Sequence, residues 1–339
     1  MNTARTTIEL HNVARTFGGP IKRAITGGKP ALDGATATLE MGRVYGLIGR
    51  NGSGKTTLLR ALAGQLRVTG EILYEGQPVW DNEVVLDNLI LAGADVPWPN
   101  DVKVSKLFAI AANRWSTWDQ HYADKLIEDY ELDTSKRLPA LSRGQKSIVS
   151  IVMGLAAQCP VTLLDEPYLG LDVQNREMFY RHLLEDVERN PRTFIISTHH
   201  IDDVARVLDA VMLLDRGRIT GVSDLNDLTE RVALLSGSSS AVEAQLAALQ
   251  CAPDSLLSDA TSAGVRKVTL DLHSCPSTIP MRPERLTSLL EGTGVRFRLA
   301  DLEQAVLAMT GRDIAEEDAH GGPTGVGQKE RSAMNGVTR

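Results

Sequence analysis

The sequence predicts an α/β protein with a mainly parallel sheet, a helical subdomain and a small C-terminal α+β extension. Three observations carry that class. The β-prone run Val44-Tyr45-Gly46-Leu47-Ile48 breaks into glycines and restarts as Leu58-Leu59-Arg60-Ala61-Leu62, the pattern of strand, tight loop and helix. Apolar runs at Val161-Thr162-Leu163-Leu164, Thr193-Phe194-Ile195-Ile196 and Val211-Met212-Leu213-Leu214 are of the kind buried on both faces of a sheet. Helical stripes alternate with these runs, which implies parallel strands joined by crossover helices.

Taken in order, Ile8, Leu10 and Val13 predict an opening strand, and Gly18-Gly19-Pro20 with Gly27-Gly28-Lys29-Pro30 mark a loop excursion. Behind the first helix, Gly70 to Gly76 reads as strand and turn, and Asn88 to Ala92 as a further strand. Val104, Leu107, Phe108 and Ala111 recur at helical spacing, in a helical subdomain expected over about 96–146. Trp98, Trp115 and Trp118 lie in or beside it and are expected to pack rather than to dock a partner. Ile148, Ile151, Val152 and Leu155 form the next stripe, ended by Cys159-Pro160.

The pattern changes after Gly221, so the main domain is drawn over 1–224 and a small accessory domain over 225–311. There, Ser240-Ala241-Val242-Glu243 reads as a capping box, Val268, Leu270 and Leu272 alternate, and Leu302, Ala305, Val306 and Met309 return to helical spacing. Residues 312–339 carry few large apolar side chains and are expected to form a disordered tail.

Apolar content of 42% and charged content of 23% over 339 residues are ordinary for a globular chain. A net charge of −7 argues against a general nucleic-acid binder. Cys159, Cys251 and Cys275 make no C-x-x-C, which gives no zinc signature and favours a reducing compartment. No stretch approaches the ~20 apolar residues of a membrane span. The expected location is therefore cytoplasmic, with any membrane work done by a partner.

The loop Gly49-Arg50-Asn51-Gly52-Ser53-Gly54-Lys55-Thr56-Thr57 fits G-x-x-x-x-G-K-[ST], in which backbone N–H groups wrap a nucleotide's phosphates. Gly52 and Gly54 allow positive φ and close approach of phosphate oxygens. Lys55 is expected on the β- and γ-phosphates, Thr56 on Mg²⁺, and the helix from Thr57 adds its N-terminal dipole. Two acids, Asp165 and Glu166, end the run Leu163-Leu164 ahead of Pro167. Beside a phosphate loop, Asp165 is expected in the Mg²⁺ shell and Glu166 as the general base on the attacking water. Leu141-Ser142-Arg143-Gly144-Gln145 precedes the stripe from Ile148. Ser142 with Gln145 has capping-box spacing, which explains part of it; Gly144 at the first turn suggests an anion site as well.

These three motifs in this order resemble the ATP-binding cassette (ABC) family over residues 8 to 221, the five-residue element being its signature motif. The resemblance implies a P-loop NTPase fold with ATP and Mg²⁺ as cofactors. It also implies that Asp172 is the D-loop aspartate, that His199 is the switch histidine sensing the γ-phosphate, and that Phe17 stacks on adenine, with a core phenylalanine as the alternative. Taken alone, His199-His200 with Asp202-Asp203 also reads as a metal cluster or a helix start. In the family, two such chains pair head to tail, with Ser142, Gly144 and Gln145 of one closing over the phosphate loop of the other.

Two positions depart from the family pattern. Arg143 replaces the first of the two glycines usual in the signature, and Ala94 or Asp95 stands where the Q-loop glutamine is usual. Asp95 is expected to offer an oxygen to Mg²⁺ in its place. The runs L-L-D-E-P-Y-L-G-L-D and S-T-H-H-I-D-D-V resemble a bacterial branch serving exporters with separate membrane subunits. The reading is an ATP-hydrolysing subunit, peripheral on the membrane's inner face through an integral-membrane permease on a separate chain. Its second partner is another ATP-binding subunit, identical or related, and no nucleic acid is involved. The rivals are a nucleotide-gated regulatory subunit and a soluble, non-transport ABC ATPase.

Overall fold

Strands and helices alternate as the apolar patterns require in the computed structural model, which describes residues 7–18, 28–99, 101–198, 204–249, 251, 255–274 and 283–309. The elements are β1 (Thr7–Arg15), β2 (Leu32–Glu40), β3 (Val44–Ile48), α1 (Lys55–Leu62), β4 (Thr69–Tyr74), β5 (Gln77–Pro78), α2 (Glu83–Leu86) and β6 (Leu89–Gly93). Then come α3 (Val104–Arg114), α4 (Gln120–Asp129), α5 (Arg143–Ala156), β7 (Val161–Asp165), α6 (Val173–Arg189), β8 (Thr193–Thr198), β9 (Ala210–Asp215) and β10 (Arg218–Asp224). The last part holds α7 (Leu225–Arg231), β11 (Val232–Ser238), α8 (Ser239–Ala248), β12 (Leu256–Ser262), β13 (Val265–Asp271), α9 (Pro283–Leu290), β14 (Arg296–Leu299) and α10 (Leu302–Met309).

The central sheet has the order β10-β9-β3-β8-β7-β6. Its β9, β3, β8, β7 and β6 run parallel, and β10 closes one edge antiparallel. Strands β3, β6 and β8 are buried along their whole length, as continuous Val, Ile and Leu runs covered on both faces should be. Parallel strands end on one edge of the sheet. Gly49 after β3, Asp165 on β7, Thr198 on β8 and Asp95 after β6 therefore come to the same rim, where ligands of open α/β sheets bind. A second, antiparallel sheet, β2-β1-β4-β5, packs its Ile8, Leu10 and Leu39 with Leu58 and Leu59 of α1. Helices α3, α4 and α5 share another core with Phe108, Tyr122 and Leu126, and Trp98, Trp115 and Trp118 pack against it partly buried.

The C-terminal part resolves into a definite topology. Strands β11 to β14 form an antiparallel sheet of order β12-β13-β11-β14, and with α8 and α9 this is the split β-α-β arrangement β-α-β-β-α-β. Val242, Leu286 and Leu290 from the helices share a core with Ala233, Leu235, Val268 and Leu270 from the sheet. Helices α7 and α10 instead join the main core through Leu228, Ala305 and Val306, so the extension is fastened to the main domain by packing. Arg231 forks onto Asp271, with Nε at 2.7 Å and Nη2 at 2.6 Å. Burial pushes the Asp271 carboxyl up, but the bonds from Arg231 and Ser274 outweigh it and hold the group below the usual carboxylate range.

One local expectation is corrected here. Helix α8 is capped by Ser238, whose hydroxyl accepts from Ala241 N–H, and Ser240 lies inside the helix. The Ser-rich run offers a hydroxyl at each of three successive positions, and the end of β11 selects the first. The expected tail, 312–339, lies outside the described residues.

Candidate functional site

The glycine-rich loop is shaped by contacts that exclude side chains. A Cβ on Gly49 would lie 2.3 Å from Leu214 O, and one on Gly54 would lie 2.3 Å from Ala31 O. Gly54, the N-cap of α1, has φ +111°, so the helix begins without a side-chain cap and its first N–H groups are left for a ligand. Lys55 is buried and donates to Gly49 O at 2.8 Å, which folds its ammonium over the loop. The Ser53 hydroxyl is buried with no hydrogen-bond partner among the described residues, an orphan that a phosphate oxygen would satisfy. A cavity of about 240 Å³ opens here, lined by Gly52, Gly54, Lys55, Thr56 and Thr57 and, across the site, by Glu166.

Asp165 and Glu166 are held by β8. Ser197 Oγ donates to Asp165 Oδ1 at 2.6 Å, and Glu166 N–H donates to Ser197 Oγ at 3.0 Å. Ser197 stands opposite Asp165 in the β7–β8 register, so the pairing of the strands delivers this contact. Glu166 has φ +46°, the left-handed region, where a non-glycine residue is strained by about 1–3 kcal/mol unless its surroundings hold it. The Tyr168 hydroxyl bonds Thr198, the residue before His199. Ser197 and Tyr168 are the site residues that motif reading missed; the register of β7 on β8 is the signal that finds the first of them. His199 itself lies outside the described residues, as does His200.

The signature segment forms the start of α5. Ser142 is its N-cap and Gln145 completes a reciprocal capping box, with Gln145 N–H on Ser142 Oγ at 3.2 Å and Ser142 N–H on Gln145 Oε1 at 3.0 Å. The Ser142 hydroxyl hydrogen is not used in that box. Gly144 has a structural reason that its sequence context does not reveal. A Cβ there would lie 2.4 Å from Gly170 O, because α5 begins pressed against the loop that follows Glu166. Gly144→Ala is therefore expected to destabilise the chain by about 1–3 kcal/mol and to displace the signature turn. The melting temperature would fall. An unchanged melting temperature would mean the two backbones are not in contact.

Asp172 is the N-cap of α6, accepting from Asn175 N–H at 2.8 Å. Phe17 is 54% exposed with the Arg15 guanidinium 5.3 Å over its ring, so the alternative of a core phenylalanine is excluded. Asp95 differs from expectation. Its carboxylate is taken by Arg143 at 3.0 Å, and it is not among the residues that line the phosphate cavity. The turn after Gly93 leads it towards the first turn of α5, where the opposite charge holds it. Among the described residues no group of His, Cys, Asp and Glu is arranged to hold a metal by itself. Among them no helix is long and apolar enough to cross a membrane.

Residues 32–169 match the family model described as "ABC transporter". The ABC transporter ATP-binding protein YtrB of Bacillus subtilis is 31% identical over 211 residues, covering 62% of this chain and 72% of the relative. An arabinose import ATP-binding protein of Burkholderia ambifaria is 29% identical over 203 residues, 56% of this chain and 40% of that one. A solved ATP-binding cassette in a post-hydrolysis dimer with ADP and phosphate superposes with a TM-score of 0.56 at 20% identity, covering 64% of this chain and 98% of that one, a likeness of fold.

Proposed function

The chain belongs to the family of ABC transporter ATP-binding proteins, which are ATPases, and from that premise we propose that it is half of an ATP sandwich driving a separately encoded export permease. One observation carries the shared site. The cavity at the phosphate loop is lined by Lys55, Thr56 and Glu166, and the signature segment sits apart from it at the start of α5, an arrangement that supports a site completed by a second chain. In this reading the N–H groups after Gly54 and the Lys55 ammonium hold the β- and γ-phosphates, and Ser142 and Gly144 of a second chain close the site. Glu166 takes a proton from the attacking water, and Asp172 and His199 link that step to the opposite subunit. Mg²⁺, held by Thr56 and Asp165 with the nucleotide, would offset negative charge on the phosphates. Ser197 fixes the orientation of Asp165 and, through the Glu166 N–H, the backbone that carries the base.

Phe17, exposed two residues beyond the end of β1, would offer its ring to adenine. Export is favoured by the run from Leu163 to Asp172, which resembles that of exporter subunits. The experiment is to purify the tagged chain from native membranes. An integral-membrane subunit should co-purify and stimulate turnover when reconstituted, with ATP on the side of this chain driving cargo away from it. Turnover and retention that ignore every membrane component would overturn the transport role.

A further inference from the structure

The two departures from the family pattern are an acid and a base, and they meet. Arg143 Nη2 lies 3.0 Å from Asp95 Oδ2 across 48 residues of sequence. Arg143 is the first residue of α5, at the positive end of a 14-residue helix whose first turn contains no acid. A cation is misplaced there unless an anion comes from elsewhere. In the single chain that anion is Asp95. Its loop is tied at its start: Gly93 pairs with Asp165 across β6 and β7, and Gly93 O accepts from Ser150 Oγ of α5 at 2.8 Å. A Cβ at Gly93 would lie 2.7 Å from Asp165 O, so a shift of this turn is felt at the strand end that carries Asp165.

We infer that Asp95 is a positioning residue for Arg143: its carboxylate parks the guanidinium against the chain's own β6 turn until the γ-phosphate of ATP held by a second chain takes it. This role rests on the shared site proposed above. Release of Asp95 then reports an occupied site across the dimer to the turn beside Asp165, a duty that its neighbours fit better than direct metal binding. The two side chains are 57% and 75% exposed, so the pair is weak and delays closure without preventing it. A phosphate carries more charge and accepts an Arg fork in two bonds, so it wins the competition.

The test uses full-length chain carrying Glu166→Gln and reads the ATP concentration giving half-maximal dimerisation. Asp95→Asn should lower that concentration about two- to fivefold, the range set by an exposed ion pair. Arg143→Gly should raise it, and adding Asp95→Asn to Arg143→Gly should then change nothing. Arg143→Lys should keep part of the response to Asp95→Asn, and the Mg²⁺ needed for half-maximal turnover should not move in Asp95→Asn made without Glu166→Gln. An Asp95→Asn effect of equal size with Arg143 and with glycine, or a shifted Mg²⁺ requirement, overturns the role while the shared site stands. If the Glu166→Gln parent forms no ATP-dependent dimer, the shared site fails first and this role falls with it.

Discussion

Replacing Glu166 with glutamine is expected to lower ATP turnover by ~10²-fold or more while ATP binding stays near that of the parent chain. The substitution keeps shape and removes the basic oxygen. Glu166 lines the phosphate cavity, and its φ of +46° is held by the N–H bond to Ser197, a contact of the backbone that glutamine retains. Binding therefore survives and the water loses its base, so the ATP-bound dimer accumulates. Steady-state phosphate release and light scattering with ATP measure the two effects. Turnover that is unchanged in Glu166→Gln would remove the residue from the chemistry. Lost ATP binding would show that the change had disturbed the loop rather than the base.

Most of the site was legible because its chemistry is local in sequence. Gly49 to Thr57 carry their own turn, helix start and lysine, and Asp165 with Glu166 announce a strand end that must hold something. What escaped depends on which backbones approach each other. Gly144 is glycine because Gly170 presses on it, and nothing near Gly144 in sequence says so. Ser197 reads as one more residue of a buried run until β8 is set in register on β7. Both departures, Asp95 and Arg143, were visible as anomalies, but their meeting is a tertiary fact.

The fold divides in the same way. Strands β3, β7, β8 and β9 are continuous apolar runs and were evident. Strand β2 was not, since Leu32, Ala35 and Leu39 are its buried residues and a shifted register against β1 breaks the alternation. In the extension, α8 and the alternation of β13 could be read. The order β12-β13-β11-β14 joins strands distant in sequence, and the half-exposed β12 gives little pattern to follow.

The central claim is that each ATP is held between two copies of this machinery, and mixing two inactive variants tests it most directly. Lys55→Ala removes the ammonium that folds over the phosphate loop, and Ser142→Arg puts a bulky side chain at the N-cap of α5, where the proposed shared site would meet the opposing phosphate. Each alone should be dead, because every site in its homodimer contains one lesion. Losing the Ser142 cap costs about 1 kcal/mol of helix stability, so melting must confirm that the second variant is folded. In a mixed dimer both lesions fall in one site, and the other site is wild-type throughout. The account predicts that ATP turnover returns on mixing and rises with the fraction of mixed dimers. Mixed dimers confirmed by differential tagging that stay as inactive as their parents would contradict it.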